Sequence, residues 1–307
     1  MPSTLKAAPS FAPMIASLAT APSVGWDALV STALLATALL GSSPAIAGAW
    51  TQEKRHGYYK LEGRALVADE LYTPVGTRID IPTLGDYTTS LYGEYGLGRR
   101  VTLLGYAPFK RLTLDELESS QTGQTISAGD SETGVGDWDL GVRIGLVQNR
   151  PFVLSLGVTL GLPLGNEDQQ SGLLTGDGEF NQLVSVQAGV GFRRTPLYLS
   201  GLIGLNNRTG GYSDEFHYAG EIGFRFSRAF SAALRARGVE SRQNGDDAFS
   251  GGGSGLFANN QEYLVYGPEL TWHFNDSFGI SAAYEAITRG RNVLSAPAYS
   301  LGLFLKK

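Results

Sequence analysis

From Gly57 onward the chain alternates between apolar and polar or small residues. Over 138–146, Trp138, Leu140, Val142, Ile144 and Leu146 are separated by Asp139, Gly141, Arg143 and Gly145. Over 152–162, Phe152, Leu154, Leu156, Val158, Leu160 and Leu162 alternate with Val153, Ser155, Gly157, Thr159 and Gly161. Over 216–226, Phe216, Tyr218, Ile222, Phe224 and Phe226 stand opposite His217, Glu221 and Arg225. Successive side chains of a strand point to opposite faces, so a period of two sets one row in an apolar medium and the other among polar groups. The pattern predicts strands at 57–66, 87–96, 99–109, 135–147, 151–162, 181–194, 196–206, 215–227, 229–241, 262–274, 277–287 and 297–305. Most have the roughly nine to eleven residues, or slightly more, that a tilted strand needs to cross a bilayer.

The connections alternate as well. Short turns fall near 97–98, 148–150, 194–195, 227–229 and 275–276, and long polar stretches at 67–86, 110–134, 163–180, 207–214, 242–261 and 288–296. Bacterial barrels have this asymmetry, with long loops outside and both termini with the tight turns in the periplasm. The predicted fold is therefore all-β, a transmembrane antiparallel β-barrel of about 12 strands. Closure also removes the strand edges that lipid cannot satisfy. Aromatics fit two girdles. Tyr95, Phe152, Phe192, Phe224, Phe226, Phe230, Trp272, Phe274, Phe278 and Phe304 lie near the short turns and the last strand, whereas Tyr87, Phe109, Trp138, Phe216, Tyr218 and Tyr299 lie near the long loops. Amphipathic rings gather at both membrane interfaces. A soluble sandwich would instead carry its bulky residues in the strand middles, which here hold Leu, Val, Ala and Gly.

Composition agrees with strands that are apolar on one side only. Charged residues make up 17% of the 307 residues, below the roughly 25% of soluble domains, yet the mean hydropathy is only −0.06. The chain has no cysteine, which excludes disulfides and thiolate metal sites. A net charge of −5 argues against nucleic acid as a partner, since phosphate binding needs a basic face. Ahead of the strands, Ala28 to Leu40 forms an apolar run of about thirteen residues, short of the roughly twenty a spanning helix needs. Small residues at Ala45, Ala47 and Ala49 follow with the spacing of a signal-peptidase site. Residues 1–49 are predicted to be a signal peptide, cleaved after Ala47 or Ala49, and residues 50–307 the barrel.

The segments AWTQEKRHGYYKL (Ala49–Leu61), TGVGDWDLGVRIGLV (Thr133–Val147) and GLPLG (Gly161–Gly165) resemble an outer-membrane family labelled as a transporter of the meta-pathway of phenol degradation. That family is similar in layout to barrels that pass hydrophobic compounds, the long-chain fatty-acid transporter among them. The resemblance implies a monomeric barrel with an uptake role for aromatic or other apolar solutes, and it brings no catalytic residues. One departure is the ending Phe304-Leu305-Lys306-Lys307, where such barrels commonly close on an aromatic residue that the barrel-insertion machinery reads. Outer-membrane lipid, lipopolysaccharide, that machinery and small apolar solutes are the expected partners.

With the apolar row on lipid, the other row lines the lumen. Tyr92, Glu94, Asp139, Arg143, Glu221, Arg225, Arg235, Arg237, Glu269 and Glu285 are the candidate pore-lining residues, on the same row as Lys60, Glu62, Arg64, Asp137, Arg193, His217 and His273. Both signs are present, unlike the single-sign rings of ion-selective pores. A turn centred on Arg228 sets Glu221 opposite Arg235, close enough for a cross-strand ion pair. Twelve strands fall between a packed eight-strand interior and a wide sixteen-strand channel, so a restricted pore is predicted.

Catalytic chemistry finds little footing. The histidines are His56, His217 and His273, and Ser213 near His217 forms no recognisable hydrolase motif. The run GVGDWDLG (Gly134–Gly141) has Asp139 where a dinucleotide loop needs its third glycine, and a strand follows where a helix is required. The acidic loops 129–134, 175–181 and 244–247 lack calcium-loop spacing, and GGGSG (Gly251–Gly255) reads as a loop tip. No cofactor and no metal are expected. The sequence points to a passive outer-membrane channel for small apolar or aromatic solutes. A non-conducting structural or surface-interaction barrel is the alternative, and a lipid-acting enzyme the more distant one.

Overall fold

The computed structural model describes residues 48–118, 125–148, 151–167, 172–192, 194–246, 251 and 256–307. The predicted signal peptide up to residue 47, Arg193 and most of the GGGSG stretch lie outside the described residues. In chain order the strands are β1 (Gly57–Tyr72), β2 (Arg78–Gly96), β3 (Val101–Leu114), β4 (Leu117–Glu118), β5 (Thr125–Ser127), β6 (Asp130–Val135), β7 (Trp138–Val147) and β8 (Phe152–Leu162). They continue with β9 (Asn181–Gly191), β10 (Leu197–Asn207), β11 (Glu215–Arg225), β12 (Phe230–Ser241), β13 (Glu262–His273), β14 (Phe278–Arg291), β15 (Val293–Leu294) and β16 (Ala298–Lys306).

Thirteen of these runs build one closed antiparallel wall of twelve strands, with β6 and β7 together forming a single wall strand. β3 pairs with β6 through Phe109–Leu114 and with β7 through Val101–Tyr106. The ladder breaks where Pro108 has no amide hydrogen to give, although its carbonyl still accepts from Gly136 N (2.9 Å). β1 pairs with both β2 and β16, which closes the barrel. β15 adds a short pairing to β1 at Leu71 and Tyr72, and β4 with β5 forms a separate ribbon.

Burial is inverted relative to a water-soluble protein. Leu270, Leu301 and Ile203 are 61%, 58% and 55% exposed, while Arg143, Lys60 and Glu269 are 0%, 1% and 2% exposed. Such a surface is stable only with hydrocarbon outside it. The fold and this apolar exterior are those of a bacterial outer-membrane barrel.

Four predicted features are corrected, three connections and one aromatic residue. The stretches 67–86 and 110–134 are not wholly loop, because β1, β2, β3 and β6 continue through much of them, and β14 likewise runs on to Arg291. Alternation toward lipid ends where the wall leaves the membrane, as the exposed Asp69, Arg78 and Asp80 mark, but the hydrogen-bonded ladder continues in water. There the inner face turns apolar, and Ala68, Leu84, Leu112, Leu173, Leu294 and Ala296 form a buried cluster at the outer mouth. Phe304 does not belong to the periplasmic girdle. It points inward, stacked on Tyr58 at 5.9 Å between ring centres, because it lies on the opposite row from Leu303 and Leu305. The other nine residues of that girdle are exposed on the outside.

Candidate functional site

The candidate site is the interior, and its periplasmic half is filled by ion pairs. Glu221 lies directly opposite Arg235. Arg235 Nε donates to Glu221 Oε2 (2.5 Å), and its two terminal nitrogens donate to the Glu269 carboxylate at 2.8 and 2.6 Å. Lys60 completes the chain by donating to Glu269 Oε2 (3.3 Å) and pairing with Glu62. That reach is long, since β16 and β14 stand between β1 and β13. It is open because position 302 is glycine, where a Cβ would fall 2.5 Å from Lys60 Cε. Tyr198 donates to the other oxygen of Glu221. A buried charge is tolerable only when paired and hydrogen-bonded, and each member of this chain is.

A second cluster holds a strap that the sequence did not reveal. Arg143 pairs with Glu94, its Nη2 reaching Oε1 at 3.2 Å, and Tyr92 donates to Glu94 Oε1 (2.6 Å). Of the strap, residues 49–56 ahead of β1, Ala49, Trp50 and Gln52 are held in the lumen, Trp50 and Gln52 by the same groups, while residues 53–56 are exposed. Arg143 Nη1 donates to the Trp50 carbonyl (2.9 Å), Gln52 Nε2 donates to Glu94 Oε2 (2.7 Å), Gln52 N donates to Thr102 Oγ1 (2.8 Å), and Ser155 Oγ donates to the Ala49 carbonyl (2.5 Å). The Trp50 ring meets Tyr198 edge-on at 6.1 Å. Two glycines admit the strap. A Cβ at Gly189 would fall 2.5 Å from the Trp50 ring, and one at Gly96 would fall 2.0 Å from the Glu53 carbonyl oxygen.

Above this packing lies a chamber of about 280 Å³. Tyr92, Leu104, Tyr106, Leu183, Leu202, Val239 and Tyr263 supply its apolar wall, and Asp139, Asn181, Gln187, Asn206, His217 and Arg237 its polar one. Arg237 is held by a bidentate pair to Glu285 (3.2 and 3.0 Å). Two buried acceptors on the chamber wall, Gln187 Oε1 and Asn206 Oδ1, have no protein hydrogen-bond partner.

The outer mouth is tied down by charge. Asp137, at the break between β6 and β7, accepts the backbone amides of Gly165 and Asp177 (both 2.9 Å), which fixes the β8–β9 connection. Arg208 pairs with Asp177 (3.1 Å), Glu215 (2.7 Å) and Glu179, and stacks on Tyr212. Burial, with the Asp137 carboxylate beside it, pushes Asp177 up to about 6. Burial pushes Glu179 up to about 8 against the opposing pull of Arg208.

All ten candidate residues project inward, but they do not form one lining. Tyr92, Glu94 and Arg143 meet beneath the chamber, as do Glu221, Arg235 and Glu269 beside them. Arg237, Glu285 and Asp139 sit higher, with Asp139 on the chamber wall. Arg225 stands apart at the periplasmic rim, donating to the turn carbonyls of Ser227 (2.9 Å) and Arg228 (2.6 Å). Ser213 and His217 are bonded elsewhere, Ser213 Oγ to Asn260 (2.6 Å) and His217 Nε2 to Glu215 (2.8 Å).

The COG4313 outer membrane channel from Pseudomonas putida F1 is similar in fold, with a TM-score of 0.67 at 14% identity, over 84% of this chain and 97% of that one. The KdgM porin (TM-score 0.46, 7% identity, 80% and 98% covered) and the translocator domain of the autotransporter NalP from Neisseria meningitidis (TM-score 0.46, 10% identity, 83% and 89% covered) are more distant. No curated protein matches the chain. Residues 75–301 match the family described as "Putative MetA-pathway of phenol degradation", and the chain belongs to that family.

Proposed function

We propose that the protein is a passive outer-membrane channel for small aromatic or otherwise apolar solutes. The observation that carries the reading is the chamber. It is a partly enclosed space of about 280 Å³, near the lower limit of the roughly 300–1,000 Å³ of sites for drug-sized ligands. It suits a solute smaller than those, and three tyrosines and four aliphatic residues offer such a solute apolar contact. Gln187 Oε1 and Asn206 Oδ1 would accept a hydrogen bond from a ring hydroxyl, which favours a hydroxylated ring over a bare hydrocarbon. The family's description, which names phenol degradation, supports a phenolic solute, and the likeness to the outer membrane channel from Pseudomonas putida F1 supports a transport role.

The strap favours a second reading, in which the barrel is closed and nothing passes. Single-channel recording in planar bilayers, with and without a phenolic solute, separates the two. A channel of this kind gives small discrete currents that a phenolic solute interrupts. Absence of discrete current, together with unchanged phenol uptake in a strain lacking the protein, overturns the proposal.

A further inference from the structure

The periplasmic end of the barrel carries a charge pattern that transport does not use. Arg99 and Arg100 occupy the β2–β3 turn, Arg194 the β9–β10 turn and Arg228 the β11–β12 turn, and all four are exposed. Lys54, Arg55 and Lys307 add three exposed cations from the terminal segments, whereas the exposed carboxylates on this end are Glu53 and Asp276. None of the seven cations makes an ion pair among the described residues. The outer end has the reverse balance. There Glu167, Asp177, Glu179 and Asp214 face the single cation Arg208 across the 163–180 and 208–214 connections, and of the exposed arginines Arg78, Arg289 and Arg291 are each paired to a glutamate, while Arg111 and Arg242 make no ion pair among the described residues. A rim of like charge with no internal partner is an electrostatic cost to the isolated molecule, which a partner of opposite charge removes.

Depth identifies that partner. Arg194 lies two residues beyond the exposed ring of Phe192, and Arg228 lies two residues from both Phe226 and Phe230. Those rings belong to the girdle that marks the edge of the hydrocarbon. Two residues of extended chain span about 7 Å, and the headgroup layer of one leaflet is roughly 5–7 Å thick. The turns are too short to lift their cations clear of that layer. We propose that the periplasmic rim is a binding collar for anionic phospholipid, which holds the phosphate-bearing headgroups of the leaflet it meets and so sets the height of the barrel in the membrane. A soluble acidic protein fits less well, because it would have to enter the headgroup layer to reach the turn tips.

The test is native mass spectrometry of the detergent-solubilised barrel with equimolar phosphatidylglycerol and phosphatidylcholine. The wild type should retain phosphatidylglycerol by roughly fivefold per cation in contact with a headgroup, and added salt should erode that preference. The quadruple variant R99Q/R100Q/R194Q/R228Q should lose most of it. R78Q/R242Q/R289Q/R291Q, which removes the same charge from the outer end, should keep it. Heat-modifiable gel mobility reports folding. If the quadruple variant does not fold, R194Q/R228Q alone should show a partial loss. Equal retention of the two lipids by the wild type overturns the proposal, as does equal loss in both quadruple variants. Retention on immobilised polyglutamate without any lipid preference also overturns it and assigns the rim to an acidic protein.

Discussion

The two halves of the interior are filled to different extents. Below the chamber, each buried charge finds a partner on another strand, and the space left over takes the strap. Above it, Arg237 and Glu285 are only partly buried, the buried Arg208 cluster shares the mouth with apolar side chains, and an open volume remains between. The lower half closes the barrel, and the upper half leaves room for a guest. On the proposed reading, a solute that reaches the chamber from outside still has the ion-paired lower half and the strap ahead of it.

The largest expected effect comes from breaking the lower network at its hub. Arg235→Ala leaves Glu221 and Glu269 buried with Lys60 as the remaining cation, and loss of one partner from a buried pair costs about 3–5 kcal/mol. The more exposed Arg237 pair (27% for both side chains) should cost about 1 kcal/mol or less in Arg237→Ala. Urea unfolding of the two variants in detergent micelles reads the contrast, and equal midpoints would erase the distinction between the halves.

Next in size is the strap. Gly189→Val puts side-chain atoms where the Trp50 ring now lies, so the strap must leave its seat while Arg143 and Glu94 still pair. Single-channel current should rise severalfold with little change in thermal stability. An unaltered current would place the main restriction elsewhere.

The chamber ranks third. Leu202→Trp fills it from the wall, and uptake of a phenolic solute should fall on the order of tenfold, equivalent to about 1.4 kcal/mol, with folding retained. Liposome swelling at an undiminished rate would detach the chamber from transport.

The smallest effect is a pH dependence at the mouth. Glu179 is raised from 4.5 to about 8, so the docked loop holds a proton that an undocked loop releases near 4.5. Docking is therefore strongest below that value and weakens as pH rises through about 8. Hydrogen exchange over 175–180 and 208–214, corrected for intrinsic rates, should show increasing openness across that interval, and Glu179→Gln should flatten it.

The wall could be read from the sequence because period two survives wherever one face meets lipid. The Glu221–Arg235 contact was legible too, since a tight turn at Arg228 fixes the register on both sides of it. The strand extensions were not, because Asp69, Arg78 and Asp80 end the lipid signal while the backbone ladder continues. The strap was hidden for another reason. Residues 49–56 have no period, and Arg143 and Ser155, which hold Trp50 and Ala49, lie 93 and 106 residues away in the chain. Gly96 and Gly189 were the one trace, and a glycine inside a strand does not say what passes over it. The Lys60–Glu269 contact is equally nonlocal, at 209 residues apart, and only a closed ring brings its ends together.

That contact has a mechanical meaning. Lys60 is fastened to Glu269 across two intervening strands, Arg235 clamps three neighbouring ones, and Arg143 ties β7 to β2 over β3. Braces of this kind act like spokes, resisting both widening of the hoop and sliding of one stave along the next. The sleeve is stiff, and whatever shifts to let a molecule through must be a tenant of the bore, not its casing.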